Sequence, residues 1–295
     1  MPIFARKKTL NIGLSPLVEG GRVRRDDLQI ALQQRRWVFL ALNVATIAAL
    51  TLAMAQILSI GGWSIAKVAM LVAYITTLPW LSIGFWNAII GFLSLARQNR
   101  SAAETTADDP LALHFDRTAP LTTRTAVVMA LRNEEAASAI ARLRTMYDDL
   151  LRQGCAAHFD FHVLSDTNDP AIAKEEEQLV SDWRGESSIS EQIFYRRRHD
   201  NAGYKAGNID EFCRRTVKDY DFFLPLDADS LMSAAAIQRL VRILEANPRV
   251  GILQTLVVGA PAKTFFARAF QFGMRHGMRA YTSGSVWWQG DCGPY

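Results

Sequence analysis

The chain has 295 residues, 49% of them hydrophobic, and a formal net charge of +4. That length accommodates one large catalytic domain plus an appendage. Three scattered cysteines (Cys155, Cys213, Cys292) and five histidines show neither C-x-x-C nor metal-ligand spacing, so they point to inert thiols and to no zinc or haem site.

The first 36 residues are basic, with Arg6, Lys7, Lys8, Arg22, Arg24, Arg25, Arg35 and Arg36. From Trp37 to Leu58, and again from Val68 to Ala96, no residue is charged. Each run exceeds the ~20 residues that span the hydrocarbon core of a bilayer, so residues 37–96 are expected to form two transmembrane helices, the second kinked at Pro79. The link 59–67 carries only Lys67, while Arg97 and Arg100 follow the second run. The positive-inside rule then puts residues 1–36 and everything after residue 96 in the cytoplasm, and the link in the periplasm. These flanks account for the excess of positive charge, so no nucleic-acid binding is inferred; they suit anionic lipid headgroups.

A polar linker is expected over 97–122. Apolar runs then alternate with helix-periodic ones. Ala126–Leu131, Phe159–Ser165, Gln192–Tyr195 and Asp221–Leu226 read as strands, each followed by a helix, and Val250–Val258 as a fifth strand. Ser233 is placed as the N-cap of a helix with Ile237, Leu240, Val241 and Leu244 on one face. Solidly apolar strands in βα alternation predict an α/β domain over 123–295, with a mainly parallel sheet covered on both faces. The charge run Lys174–Glu177 reads as a solvated helix face.

Polar residues gather at the carboxyl ends of these strands. Arg132-Asn133-Glu134 follows the first, Ser165-Asp166-Thr167 the second, Arg196–His199 the third, and Asp227 and Asp229 the fourth. In open α/β sheets the crevice beyond those ends is where ligands bind. Spaced i, i+2 at the end of a strand, Asp227 and Asp229 are expected on one side, where they suit Mg²⁺ or Mn²⁺ gripping phosphate oxygens; an exposed turn without function explains such a pair as well. Lys205-Ala-Gly-Asn208 adds a cation, and a glycine where a diphosphate could approach backbone N–H groups. An arginine of 196–198 would compensate further charge, and Asp166 and Glu134 would accept hydrogen bonds from a base or ribose. The chemistry suggested is transfer from a nucleotide-diphosphate donor.

Arg132-Asn133-Glu134, Leu164-Ser-Asp166, Phe194–Arg198, Lys205–Ile209, Leu226–Ser230 and Glu245–Pro248 together resemble family 2 glycosyltransferases. More narrowly, they resemble the branch that builds osmoregulated periplasmic glucans. The resemblance covers residues 123–295 and extends to the paired helices before them. It implies a GT-A-type fold, a hexosyltransferase activity with UDP-glucose as donor, a divalent metal, a growing β-glucan as acceptor, and a multi-pass place in the bacterial inner membrane with the catalytic domain cytoplasmic. It assigns Glu134 and Asp166 to the uridine, Lys205 to the diphosphate, Asp227 and Asp229 to the metal, and Gln254 and Thr255 to the acceptor side. Ala130-Leu131-Arg132 departs from the family's residues ahead of Asn-Glu, and Pro225 argues for an edge or bulge in the fourth strand. No general base is evident: Glu245 reads as lying on a helix surface and Asp291 near Tyr295, so the chain is expected to be an N-terminal piece, C-terminally truncated, whose base lies beyond Tyr295. The segment Phe265–Met274 reads equally as an interfacial amphipathic helix or a core helix, and Trp287 and Trp288 as sugar-stacking or packing residues. Alternatives to the glucan synthase are a transferase onto a polyprenyl phosphate, or a membrane fragment that only binds nucleotide.

Overall fold

The computed structural model describes residues 2–5, 25–100, 115–187, 190–216, 218–248, 250–259 and 261–290. In chain order these form strand β1 (Pro2–Ala5), helices α1 (Arg25–Ser59) and α2 (Ile65–Arg100), β2 (Thr125–Leu131), α3 (Ala136–Arg152), β3 (Phe159–Ser165), α4 (Pro170–Glu186), β4 (Ile193–Arg197), α5 (Tyr204–Thr216), β5 (Phe222–Leu226), α6 (Ala234–Ala246), β6 (Ile252–Gln254), α7 (Phe265–Gly273) and, after a π-helical turn at Met274–Met278, α8 (Arg279–Gln289). They divide into two compact units. One comprises Met1–Gly13 and Leu113–Thr255, the other Leu14–Ala112 and Leu256–Tyr295. The division falls inside the stretch 123–295 that the sequence assigns to one domain, because the residues after 255 group with the two long apolar helices.

The first unit is a six-stranded sheet in the order β4-β3-β2-β5-β1-β6. Strands β4, β3, β2 and β5 run parallel, as expected of apolar strands joined by helices. Chain order runs outward from β2 through β3 to β4, then returns to β5 on β2's other side, so the topological switch lies between β2 and β5. One face of the sheet packs Val127, Met129, Phe161, Val163 and Leu224 against α3, α4 and α6. The other packs Ala126, Val128 and Leu164 against Phe212 of α5. Helix starts are specified locally: Asp169 caps α4 by accepting from Ala171 N at 2.8 Å and Ile172 N at 3.3 Å, and Ser233 caps α6 through Ala236 N.

Three details differ from expectation. The strand read as Val250–Val258 is only Ile252–Gln254, and it joins the sheet antiparallel to β1 rather than as a parallel fifth strand. β1 itself, placed by the sequence in a basic N-terminal segment, pairs antiparallel with β5 at Phe222 and Phe223 only. At Pro225, among the described residues, β5 is paired with β2 alone, so the missing N–H falls where no ladder partner lies on the other side. Finally, Glu176 is not solvated. It is 0% exposed, because Ala173, Glu176, Val180 and Trp183 form the buried stripe of α4, and its carboxylate accepts from the hydroxyls of Thr167 (2.6 Å) and Tyr195 (3.0 Å).

In the second unit, Ile30–Ser59 and Ile65–Arg97 are long and apolar enough to cross a membrane. α8 packs on α2 through backbone-to-backbone contact: a Cβ on Gly91 would lie 1.7 Å from Ala280 O, and one on Gly284 1.9 Å from Asn87 O. Small residues at such seams let helix backbones approach closely. Trp288 stacks on Phe39 at 4.4 Å and donates to Asn87 Oδ1 at 2.9 Å, so its ring serves packing. Arg35 and Arg36 donate to the last carbonyls of α8, at Trp287, Trp288 and Gln289. On α7, Phe265, Phe266, Phe270 and Phe272 are exposed.

Candidate donor site

The chain leaves β2 through Arg132 and Asn133, the latter at φ +53, a left-handed conformation that asparagine tolerates better than most residues. Asn133 staples this turn to the one after β3. Its Oδ1 accepts from the backbone N–H of Asn168 (3.2 Å) and Asp169 (3.3 Å), and its own N–H donates to Thr167 Oγ1 at 3.0 Å. Thr167 is in turn anchored on Glu176. The site's upper edge thus rests on a buried carboxylate one helix away. Tyr195, the other donor to Glu176, has its phenol pushed up to about 12, first by burial and further by the neighbouring carboxylate.

Asp166, one residue past β3, is 6% exposed. Arg198 grips it bidentately, Nε on Oδ1 at 2.7 Å and Nη2 on Oδ2 at 2.8 Å. This pairing also raises the guanidinium's own proton affinity. With its amide oriented to satisfy both neighbours, Asn201 donates to Asp166 Oδ2 at 3.1 Å and accepts from Arg132 at 2.9 and 3.1 Å. A carboxylate offers about four acceptor positions, so roughly one on Asp166 remains for a ligand.

Arg198 also donates to Ala202 O and Tyr204 O, both at 3.1 Å, which folds the segment 200–203 over the start of α5. Gly207 makes that fold possible: a Cβ there would lie 2.1 Å from Ala202 O. The glycine expected to admit a diphosphate is thus filled by the chain's own carbonyl. The arginines expected to compensate charge are committed as well, Arg196 to Asn208 and Glu211, Arg197 to Thr167 O, Arg198 to Asp166. Burial lowers the pKa of Arg196, its neighbour Glu211 opposing.

β5 ends at Leu226, and Asp227–Ser230 form a turn closed by Ser230 N to Asp227 O at 2.9 Å. Strand alternation therefore does not align the two carboxylates, since both lie past the strand in a turn. Arg142 of α3 holds this turn by donating to Ala228 O at 3.1 Å. Both aspartates are exposed. Asp227 pairs with Lys205 Nζ.

These pieces enclose one cleft of about 470 Å³, lined by Glu134, Asp166, Lys205, Asp227 and Asp229 together with Arg132 and Tyr204. Five residues singled out for a donor from four separate segments meet here, beyond the carboxyl ends of β2, β3 and β5. Gln254 and Thr255, assigned to an acceptor, are not among the residues that line it; Gln254 is exposed at the end of β6, in register with Pro2. Glu245 is occupied elsewhere, accepting from the N–H and hydroxyl groups of Thr122 and Thr123 at 2.8–3.0 Å. Asp291 lies outside the described residues. Among the described residues no three His, Cys, Asp or Glu side chains gather as a metal cage. Two exposed carboxylates with open solvent beside them still fit a hard cation whose other ligands are phosphate and water oxygens. Arg132 and Tyr204 were not singled out as site residues, although the departure noted at Ala130–Arg132 marked one of them.

The model of glycosyl transferase family 2 matches residues 126–291. The chain belongs to that family. The glucans biosynthesis glucosyltransferase H of Cupriavidus pinatubonensis is 38% identical over 265 residues, covering 86% of this chain and 29% of that protein. Its namesake from Salmonella typhimurium is 34% identical over 284 residues, covering 86% of this chain and 32% of the relative. The chain thus spans about a third of the length of the curated relatives it matches. Among solved structures, a mannosyltransferase of Pyrobaculum calidifontis, in complex with GDP-Man and Mn²⁺, aligns with a TM-score of 0.38 at 18% identity, over 56% of this chain and 42% of that one.

Proposed function

We propose that this chain carries the donor-binding part of a membrane-embedded glucosyltransferase that moves glucose from UDP-glucose to a growing β-glucan, in osmoregulated periplasmic glucan synthesis. The observation that carries the reading is the convergence of Glu134, Asp166, Lys205, Asp227 and Asp229 on one cleft at the switch between β2 and β5. The names borne by the relatives supply the sugar and the product.

In this reading Asp166, pinned by Arg198, accepts from the base, and Glu134 from base or ribose. Asp227 and Asp229 hold Mg²⁺ or Mn²⁺, which when bound neutralises charge on the departing diphosphate. Lys205 adds a second positive charge at that end. α1 and α2 anchor the enzyme in the bacterial inner membrane, with the catalytic unit in the cytoplasm, where the basic flanks place it. Gln254 and Thr255 serve the acceptor.

Calorimetry of the purified chain in detergent tests this. UDP is expected to bind at least tenfold more tightly with Mg²⁺ or Mn²⁺ than without, and Asp229→Asn to remove that difference, because the amide keeps the shape but not the anionic ligand. Equal affinity with and without metal would count against the metal site, and no UDP binding at all would reject the donor cleft.

A further inference from the structure

Strand β6 ends at Gln254, and its place in the sheet depends on β1. Among the described residues β6 pairs with β1 and with no other strand, so Ile252–Gln254 joins the sheet only through Pro2–Phe4. Its own side chains add little. Ile252 is 59% exposed, Gln254 is exposed, and of the three residues Leu253 alone packs against the core. A strand with so little burial is held by its ladder, and burial does not choose its register. β1 chooses it instead, setting Pro2 opposite Gln254, Ile3 opposite Leu253 and Phe4 opposite Ile252. β1 is fixed in turn on β5 by two pairs, Phe4 with Phe223 and Ala5 with Phe222. β5 pairs with β2 along its whole length, from Phe222 to Leu226. The ladder that leads to Asp227 therefore does not need β1.

We propose that β1 is a positioning strap that sets β6, and with it Gln254, on the sheet without supporting the donor cleft. If Gln254 serves the acceptor, as in the function proposed above, the strap aligns the acceptor side with the donor side; the test reads β6 itself and so stands apart from that reading. Strand addition of this kind acts through main-chain hydrogen bonds, so the strap is broken by removing an N–H. Pro2 stands at the first position of the strand, where proline is tolerated. Phe4 is the one residue registered with both neighbours, Phe223 on one side and Ile252 on the other. A proline there sits inside a strand flanked on both sides and disrupts its ladder.

The test is amide hydrogen exchange on the whole chain in detergent, with UDP calorimetry in Mg²⁺ beside it. In the wild type the amides of 252–254 that face β1 are expected to be protected. In Phe4→Pro, and in a chain lacking residues 2–5, they exchange at least about tenfold faster. Val127 in β2 and Phe161 in β3 keep their protection in both variants, and UDP affinity stays within about twofold of wild type. A general structural role would loosen all these strands together. Unchanged protection of β6 in both variants, or none in the wild type, overturns the strap. So does an equal loss from β2 and β3, or a UDP affinity that falls tenfold with β6. A wild-type chain that protects β6 but binds no UDP rejects the donor cleft and leaves the strap standing.

Discussion

His162 sits on β3 on the face opposite α3, stacked on Phe194 at 4.6 Å, edge-on to Phe212 at 4.8 Å, and hydrogen-bonded to Tyr220 OH at 2.8 Å. It is 8% exposed. Burial, reinforced by the nearby Arg196 charge, lowers its pKa to about 3. The folded chain therefore keeps this imidazole neutral where the unfolded chain, near the ordinary value of about 6.5, binds a proton. Stability contributed by a neutral His162 is fully present above the unfolded pKa and is lost as pH falls below it. Linkage gives a loss of about 2 kcal/mol between pH 7.5 and pH 5, and any folded value below about 4 gives the same figure, because the unfolded state sets the proton count over that range. The assay is urea unfolding in detergent at each pH, followed by the fluorescence of Trp183, which is buried against Tyr147 and Phe161. His162→Phe fits the aromatic nest and cannot titrate, so its midpoint is expected to be about 2 kcal/mol less sensitive over the same interval, whatever its absolute stability. Parallel pH curves for the two proteins would refute the reasoning and place a proton on the buried ring.

Two further outcomes follow from packing. Glu176→Ala is expected to cost about 2–4 kcal/mol in the same urea assay, since it opens a cavity and strands the Thr167 and Tyr195 hydroxyls, whereas Glu176→Gln, with both hydroxyls free to turn, costs nearer ~1 kcal/mol; equal losses would mean that the carboxyl group is not the anchor. Gly284→Ala is expected to lower the Tm of the chain in detergent, because even one methyl meets Asn87 O at 1.9 Å, with a cost of about 1–3 kcal/mol for such overpacking. Gly277→Ala, where a Cβ meets nothing within 4 Å, is neutral or stabilising by comparison, and identical behaviour of the two would dismiss the close α2–α8 seam.

Elements whose signal is local were legible. β2, β3 and β5 are apolar runs ending in polar residues, and α3 and α6 carry periodic apolar faces. That was enough to place five cleft residues at one sheet edge. What stayed hidden depends on distant partners. β1 is four residues long and separated by about 120 residues from β2; nothing in Pro2–Ala5 says which strand it will pair with. The charge run at 174–177 concealed Glu176, although the spacing of Ala173, Val180 and Trp183 around it marks the buried stripe. At Gly207 the sequence shows that a glycine is present but not that the Ala202 carbonyl lies where its Cβ would be. Arg132 and Tyr204 are 72 positions apart by their numbering, and only the fold stacks them.

The two ends of the cleft are built to different rules, and the difference suits the proposed ligand. At one end Asp166, proposed to meet the base, is buried, gripped by a bidentate arginine, and carried by loops stapled through Asn133, Thr167 and Glu176. An acceptor fixed before a ligand arrives loses little entropy on binding. At the other end Lys205, Asp227 and Asp229 are exposed, and the Lys205–Asp227 pair faces solvent. Exposed ion pairs are worth only about 0–1 kcal/mol, so Lys205 can leave Asp227 for a phosphate oxygen at almost no loss. A transferase must hold the nucleotide in one register yet exchange charge at the diphosphate in every cycle. Under the proposed function, rigid recognition beside labile charge meets both demands, with the Arg198–Asp166 pair buried at one end and Lys205 held only by an exposed ion pair to Asp227 at the other.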